Sequence, residues 1–171
     1  IPDSMCIDCE ALTTIAIPDS VNEIAADAFG ECKSLESLTL PFRLEEISDG
    51  MCRFCEALTT ITIPDSVNSI GDEAFAYCTS LRGIALPSQL YAIGDGAFVG
   101  CTSLETLTLP DGVKLIEGSA FSGCTSLTSV TIPGSVNDIQ QGAFDGCTSL
   151  ETLTIEYGVA RTIGTHAFAG C

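Results

Sequence analysis

Apolar residues recur along this chain in columns 23 positions apart. Leu12, Leu35, Leu58, Leu81, Leu104, Leu127 and Leu150 form the first column. Three residues on come Ile15, Leu38, Ile61, Ile84, Leu107, Val130 and Leu153, and two further on Ile17, Leu40, Ile63, Leu86, Leu109, Ile132 and Ile155. The last two columns alternate with polar positions at period two, which predicts a short half-buried strand in each repeat. Pro18, Pro41, Pro64, Pro87, Pro110 and Pro133 follow directly and end it, because proline has no N–H for a ladder. The second half of each repeat adds a Val/Leu column (Val21, Leu44, Val67, Leu90, Val113, Val136, Val159) and an Ile column (Ile24, Ile47, Ile70, Ile93, Ile116, Ile139, Ile163).

An Ala-Phe pair comes next, as in Ala74-Phe75 and Ala97-Phe98, with Met5-Cys6 and Met51-Cys52 in its place in two repeats. A cysteine then closes the unit at Cys9, Cys32, Cys55, Cys78, Cys101, Cys124 and Cys147, and at Cys171 after a one-residue insertion near Arg161-Thr162. One 23-residue coil cannot bury this apolar content alone. Stacked coils can, with strands paired in parallel at ~4.8 Å and stability residing in the neighbour interfaces. The glycines fall at turns: Gly71, Gly94 and Gly164 after the Ile column, and Gly100, Gly123, Gly146 and Gly170 before the cysteine. Positive φ is the expected reason for both sets.

The pattern C-x-S-L-x-x-L-x-L-P-x-S-V-x-x-I-G-x-x-A-F-x-x-C, clearest over Cys55–Cys78 and Cys124–Cys147, resembles the BspA-type (Treponema pallidum-type) leucine-rich repeats. It departs from the family pattern at Met5-Cys6, Met51-Cys52, Glu156 (for the expected proline) and the insertion near Thr162. The resemblance implies a right-handed leucine-rich-repeat solenoid, α/β by convention but mostly β here, with a parallel sheet on its concave face. It also implies a ligand- or protein-binding scaffold without catalysis, of a kind abundant in bacterial surface proteins and in protists and algae. Residues 1–171 then form a single domain of about seven and a half repeats. Both ends fall inside a repeat, so the chain reads as a piece of a longer one.

Composition narrows the function. The chain holds 23 acidic against 6 basic residues, a formal net charge of −17. Such a surface repels phosphate backbones and anionic headgroups, so no nucleic-acid partner is expected. No apolar run approaches the ~18–20 residues of a membrane span, so direct membrane insertion is not expected either. The acidic residues crowd residues 1–85, with Glu36, Glu105 and Glu151 at the strand edge. They read first as a solvating coat and second as a steering surface for a basic or neutral partner.

Ten cysteines in 171 residues lie below the ~8–10 % of a disulfide scaffold. In-register neighbours point the same way, so a buried thiol ladder acting as small hydrophobes is the expected state. The two CxxC motifs, Cys6-x-x-Cys9 and Cys52-x-x-Cys55, stand two coils apart, too far for one zinc, and no helix N-terminus adjoins them. Pairs such as Glu45-Glu46 and Asp72-Glu73 make no calcium loop. His166 stands alone, and no nucleophile elbow or phosphate loop is present. No enzyme, cofactor or metal is expected.

The candidate site is the outward face of the strands. Its positions are Thr14, Ser37, Thr39, Thr60, Thr62, Thr106, Thr108, Ser129, Thr131, Thr152 and Thr154, joined by Ala16, Gly83 and Ala85. Threonine suits any solvated strand. A stacked T-x-T array also suits partner docking, and it is similar to the ice-binding faces of flat solenoids. Concave curvature and the small residues Ala16, Gly83 and Ala85 argue against an ice-lattice match. The reading is a non-enzymatic protein-interaction scaffold. It would serve as a secreted surface adhesin or as an accessory subunit of a large complex, such as an algal or protist membrane or photosynthetic complex. The resemblance favours an extracellular or cell-surface place, with the periphery of an organelle or membrane complex as the alternative.

Overall fold

The computed structural model describes residues 1–158 and 162–171. Val159 of the Val/Leu column, and Arg161 at the insertion, lie outside the described residues. The chain winds as a parallel β-solenoid of 23-residue coils, with no helix among the described residues. In chain order the strands are β1 (Thr14–Ala16), β2 (Ser37–Thr39), β3 (Glu46–Ile47), β4 (Ser69–Ile70), β5 (Gly83–Ile84), β6 (Ala92–Ile93), β7 (Thr106–Leu107), β8 (Leu115–Ile116), β9 (Ser129–Ile132), β10 (Asp138–Ile139), β11 (Thr152–Ile155) and β12 (Thr162–Ile163).

The predicted strands form one face of the solenoid, called here the front. They pair in parallel one repeat apart: Thr14 with Ser37, Thr106 with Ser129, Thr131 with Thr154. The front is not one continuous sheet. β1 and β2 make a pair, and β5, β7, β9 and β11 make a four-stranded sheet. Residues 60–63, where the columns predict a strand like the others, are joined only by a single bridge from Thr62 to Ala85.

A second sheet, which the hydrophobic pattern does not predict, follows the Ile column in the order β12-β10-β8-β6-β4-β3. Each of its strands is two residues long, so one polar or half-buried residue precedes one isoleucine. No alternation is long enough to reveal a strand in the sequence.

The remaining side of each coil is turn, and its backbone is also ordered. Every coil places two residues in the left-handed region at matching positions, with φ between 53° and 72°. One column runs Ser4, Asp27, Gly50, Glu73, Gly96, Ser119, Gly142, His166. The other runs Asp8, Glu31, Phe54, Tyr77, Gly100, Gly123, Gly146, Gly170. Alternate N–H groups thereby point along the solenoid axis. Asp27, Phe29 and Glu31 donate to the carbonyls of Asp49, Met51 and Arg53 on the next coil, at 2.9, 3.0 and 2.7 Å. Backbone groups are thus paired on three sides of the coil, as buried or half-buried polar groups require.

Positive φ, expected of both glycine sets, holds only for the one before the cysteine. Gly71, Gly94 and Gly164 do not have it. They are small because neighbouring coils touch there: a Cβ on Gly94 would lie 2.7 Å from the carbonyl carbon of Gly71 and 2.8 Å from the Asp72 nitrogen.

The core is made of the predicted columns, and no polar side chain is buried among the described residues. Phe75, Phe98, Phe121, Phe144 and Phe168 stack with centroids 5.1–5.3 Å apart. Cys52 interrupts that stack between Phe29 and Phe75, and it is fully buried. Leu38 and Leu107 are buried, whereas Leu153 in the same column is 39 % exposed at the last coil. The neighbouring coil, not the coil itself, supplies the burial.

Candidate functional site

The front face brings together every residue singled out for it. Thr14, Ser37 and Thr39 project from β1 and β2, and Thr106, Ser129, Thr131, Thr152 and Thr154 from β7, β9 and β11. Thr108 lies just beyond β7, and Thr60 and Thr62 flank the break between the two front sheets. All eleven are exposed. The strand geometry explains this: Ile61, Ile84, Leu107 and Val130 point inward, so the residue on either side must point outward. Ala16, Gly83 and Ala85 occupy the same outward rows. The face therefore carries hydroxyls, methyls and one bare glycine across seven repeats, and no charge, in a chain with 29 formally charged side chains.

The charges lie around it. On the coil edges Asp49 and Asp72 accept backbone N–H bonds from Asp72 and Asp95 of the next coil, at 2.8 and 2.9 Å. These carboxylates act as inter-coil clips. Burial, then the charges of Asp72 and Asp95, push the Glu117 carboxyl above the usual range. Arg53 pairs with Asp27 at 2.6 Å and approaches Glu31 at 4.0 Å. Among the described residues no group of three or more acidic, histidine or cysteine side chains is placed to hold a metal ion. His166 sits exposed in a turn, at a left-handed position that its column shares.

The cysteine column is the expected ladder of free, mostly buried thiols, and it also donates hydrogen bonds between coils. The thiols of Cys55, Cys101, Cys124 and Cys147 donate to the carbonyls of Phe29, Phe75, Phe98 and Phe121 on the preceding coil, at 3.2–3.4 Å. Cys78 does the same to Cys52, at 3.2 Å. Each of these five thiols reaches a carbonyl of the preceding coil, and all ten cysteines are free. Burial pushes the Cys101 and Cys147 thiols up to about 12 and Cys32 up to about 11. Contact with Cys55, then burial, raises Cys52. Thiols held this far up are protonated and unreactive at neutral pH. The CxxC pair of Cys52 and Cys55 thus belongs to the core. Cys6 and Cys9 are only partly buried, because no coil precedes theirs among the described residues.

Three features are not legible in the hydrophobic pattern: the second sheet, the left-handed columns and the break in the front. The break has one visible sign. Pro41-Phe42-Arg43 puts an aromatic where Asp19, Asp65, Ser88, Asp111 and Gly134 stand in other coils; the last coil carries Tyr157 there, beside the Glu156 that replaces its proline.

Known proteins share this architecture. The model of the BspA type leucine rich repeat region matches residues 1–98 and 69–171, in six copies. The crystal structure of the T. pallidum leucine rich repeat protein TpLRR superposes with a TM-score of 0.86 at 32 % identity, over 94 % of this chain and 77 % of that one. A leucine rich cell surface protein of Faecalibacterium prausnitzii is 31 % identical with a TM-score of 0.64, over 99 % of this chain and 54 % of its own length. The pneumococcal vaccine antigen PcpA shares the fold at 18 % identity and a TM-score of 0.58. A search of curated proteins gives no match. With the 23-residue columns, the paired front strands and the family model covering both halves, the chain belongs to the BspA-type leucine-rich-repeat family.

Proposed function

We propose that the protein is a non-enzymatic interaction scaffold whose front Thr/Ser face docks a protein partner. The observation that carries this is the uncharged front itself. Outward rows across seven repeats hold only Thr, Ser, Ala and Gly, while acidic residues line the coil edges. An uncluttered sheet has a low desolvation cost on contact, and hydroxyls can meet polar groups of the partner. The acidic rim favours a partner with a basic or neutral surface and would speed its approach. A stable contact of this kind buries of order 1,000 Å² or more.

The test places a photo-cross-linking residue at Thr106 or Thr131 on the front and at Gln141 on the turn side, and irradiates the protein in an extract of its source. The same protein linked from both front positions, and not from position 141, supports the docking face. Links from position 141 alone would overturn it.

We further propose a cell-surface location, on the strength of the similar cell surface protein of Faecalibacterium prausnitzii. A membrane-impermeant amine reagent applied to intact cells should then label Lys33 and Lys114. Labelling only after lysis would instead favour a subunit of an internal complex.

A further inference from the structure

Three irregularities coincide between the second and third repeats. The front sheet is interrupted there, and among the described residues no backbone hydrogen bond joins residues 36–42 to residues 59–63. The coils close again on either side of the gap. Ala57 N–H donates to Lys33 O at 3.1 Å, and Asn68 N–H donates to Glu45 O at 2.9 Å. A hollow of about 450 Å³ opens over the gap, with Ser37, Thr39, Thr60 and Thr62 on its sides and Leu38 and Ile61 in its floor. Phe42 stands at its rim, 56 % exposed.

Phe42 is fixed there. Its N–H donates to the Asp19 carboxylate at 3.3 Å, and its carbonyl accepts from the Ser66 hydroxyl at 2.9 Å. The Arg43 guanidinium lies over the ring, 5.1 Å from its centroid. A comparable hollow of about 350 Å³ lies over β7 and β9, but Asp111 and Glu156 line it and no aromatic does. The sheet there is paired through Thr106 and Ser129.

We infer that this gap is a specific subsite for one extended peptide segment of a partner protein, carrying an apolar side chain flanked by Lys or Arg. The inference rests on the reading of the front as a docking face and names where and what it docks. Unpaired strand edges accept an added extended segment through main-chain hydrogen bonds, and an exposed ring beside them supplies the side-chain anchor. The charge of the flanks follows from the neighbourhood. Within residues 33–45 and 56–66, Glu36, Glu45, Glu56 and Asp65 are exposed, with Asp19 beside them, against the two cations Lys33 and Arg43.

The experiment selects binders from a displayed library of random 12-residue peptides against the immobilised protein. It then measures them on the wild type, Phe42→Ser, Thr60→Lys and Thr131→Lys. Phe42→Ser installs the residue that Ser88 supplies at the same place two coils on, and unchanged circular dichroism confirms that each variant is folded. Enriched peptides should carry an apolar residue between basic ones. They should lose affinity by about tenfold or more on Phe42→Ser and Thr60→Lys, as truncation of an anchor does, and keep it on Thr131→Lys. Binding should slow hydrogen exchange at the amides of Leu38 and of residues 60–62; the Ser37 amide already donates to Thr13 on the preceding coil. Peptides that lose affinity on Thr131→Lys but not on Phe42→Ser would overturn the subsite and leave the broader docking face standing. Peptides insensitive to every variant would overturn both. No enrichment, or enrichment of acidic peptides, would overturn the subsite as defined here, and the cross-linking test would then decide the docking face alone.

Discussion

The Cys101 thiol donates to the carbonyl of Phe75, 3.2 Å away on the preceding coil, so a residue type usually counted as a small hydrophobe also ties coils together. Cys101→Ala removes the donor and leaves a small void. Equilibrium unfolding in urea should show a loss of about 1–2 kcal/mol with an unchanged circular dichroism spectrum. A change below a few tenths would show that the contact contributes nothing.

The same thiols make stability depend on alkaline pH. Burial raises Cys101 and Cys147 from the ordinary 9.0 to about 12 in the folded protein. A raised folded pKa means that the native state holds the proton more tightly. The stabilisation is complete below about pH 9 and is lost as pH climbs from there toward 12. Melting temperature measured from pH 7 to 11 should be flat to about 9 and then fall. The fall should be shallower in the Cys101→Ala, Cys147→Ala double variant.

Two glycine substitutions separate conformational strain from steric contact. Gly123 has φ +72° and room for a methyl, which would sit in ordinary contact with the Gly100 backbone 3.7 Å away. Gly123→Ala should therefore cost only the left-handed penalty, about 1–2 kcal/mol. Gly94→Ala drives a methyl into the backbone of the adjacent coil and should cost more. Conversely Glu73, exposed with φ +53°, already bears that strain. Glu73→Gly should gain up to about 1 kcal/mol in denaturant titration, and a loss would show that its side chain matters more than its backbone.

Phe98 lies between Phe75 and Phe121, with centroids 5.3 and 5.2 Å away. Phe98→Ala opens a void against both neighbouring coils and should destabilise by about 3–5 kcal/mol. Hydrogen exchange should show protection lost first at the amides of Phe75 and Phe98, which donate to Ala97 and Ala120 across those interfaces.

The front face should tolerate substitution that the core does not. Thr131→Lys changes an exposed outward position and should alter stability by no more than about 0.5 kcal/mol. In the same protein it should weaken partner capture through the front. A large loss of stability would show that the hydroxyl rows hold the sheet together rather than present it.

The sequence by itself determined the repeat length, the buried columns, the front strands and the outward Thr/Ser rows. Each rests on a local rule applied identically in every coil: period-two alternation, proline after the strand, large apolar residues at fixed offsets. Stacking then follows, since no lone coil can bury Leu58, Val67, Ile70 and Phe75 together. Tertiary structure decided what depends on how one coil meets the next. Two-residue strands such as Ser69–Ile70 form only because Glu46–Ile47 and Ala92–Ile93 lie alongside. The left-handed column of Asp8, Glu31, Phe54 and Tyr77 is hidden because four different side chains replace its glycine, and the inter-coil hydrogen bonds hold them at positive φ regardless. Gly71 and Gly94 answer to backbone contact across the interface rather than to their own turn. The break beside Phe42 is decided between coils too, because a ladder exists only where both strands offer their hydrogen bonds to each other.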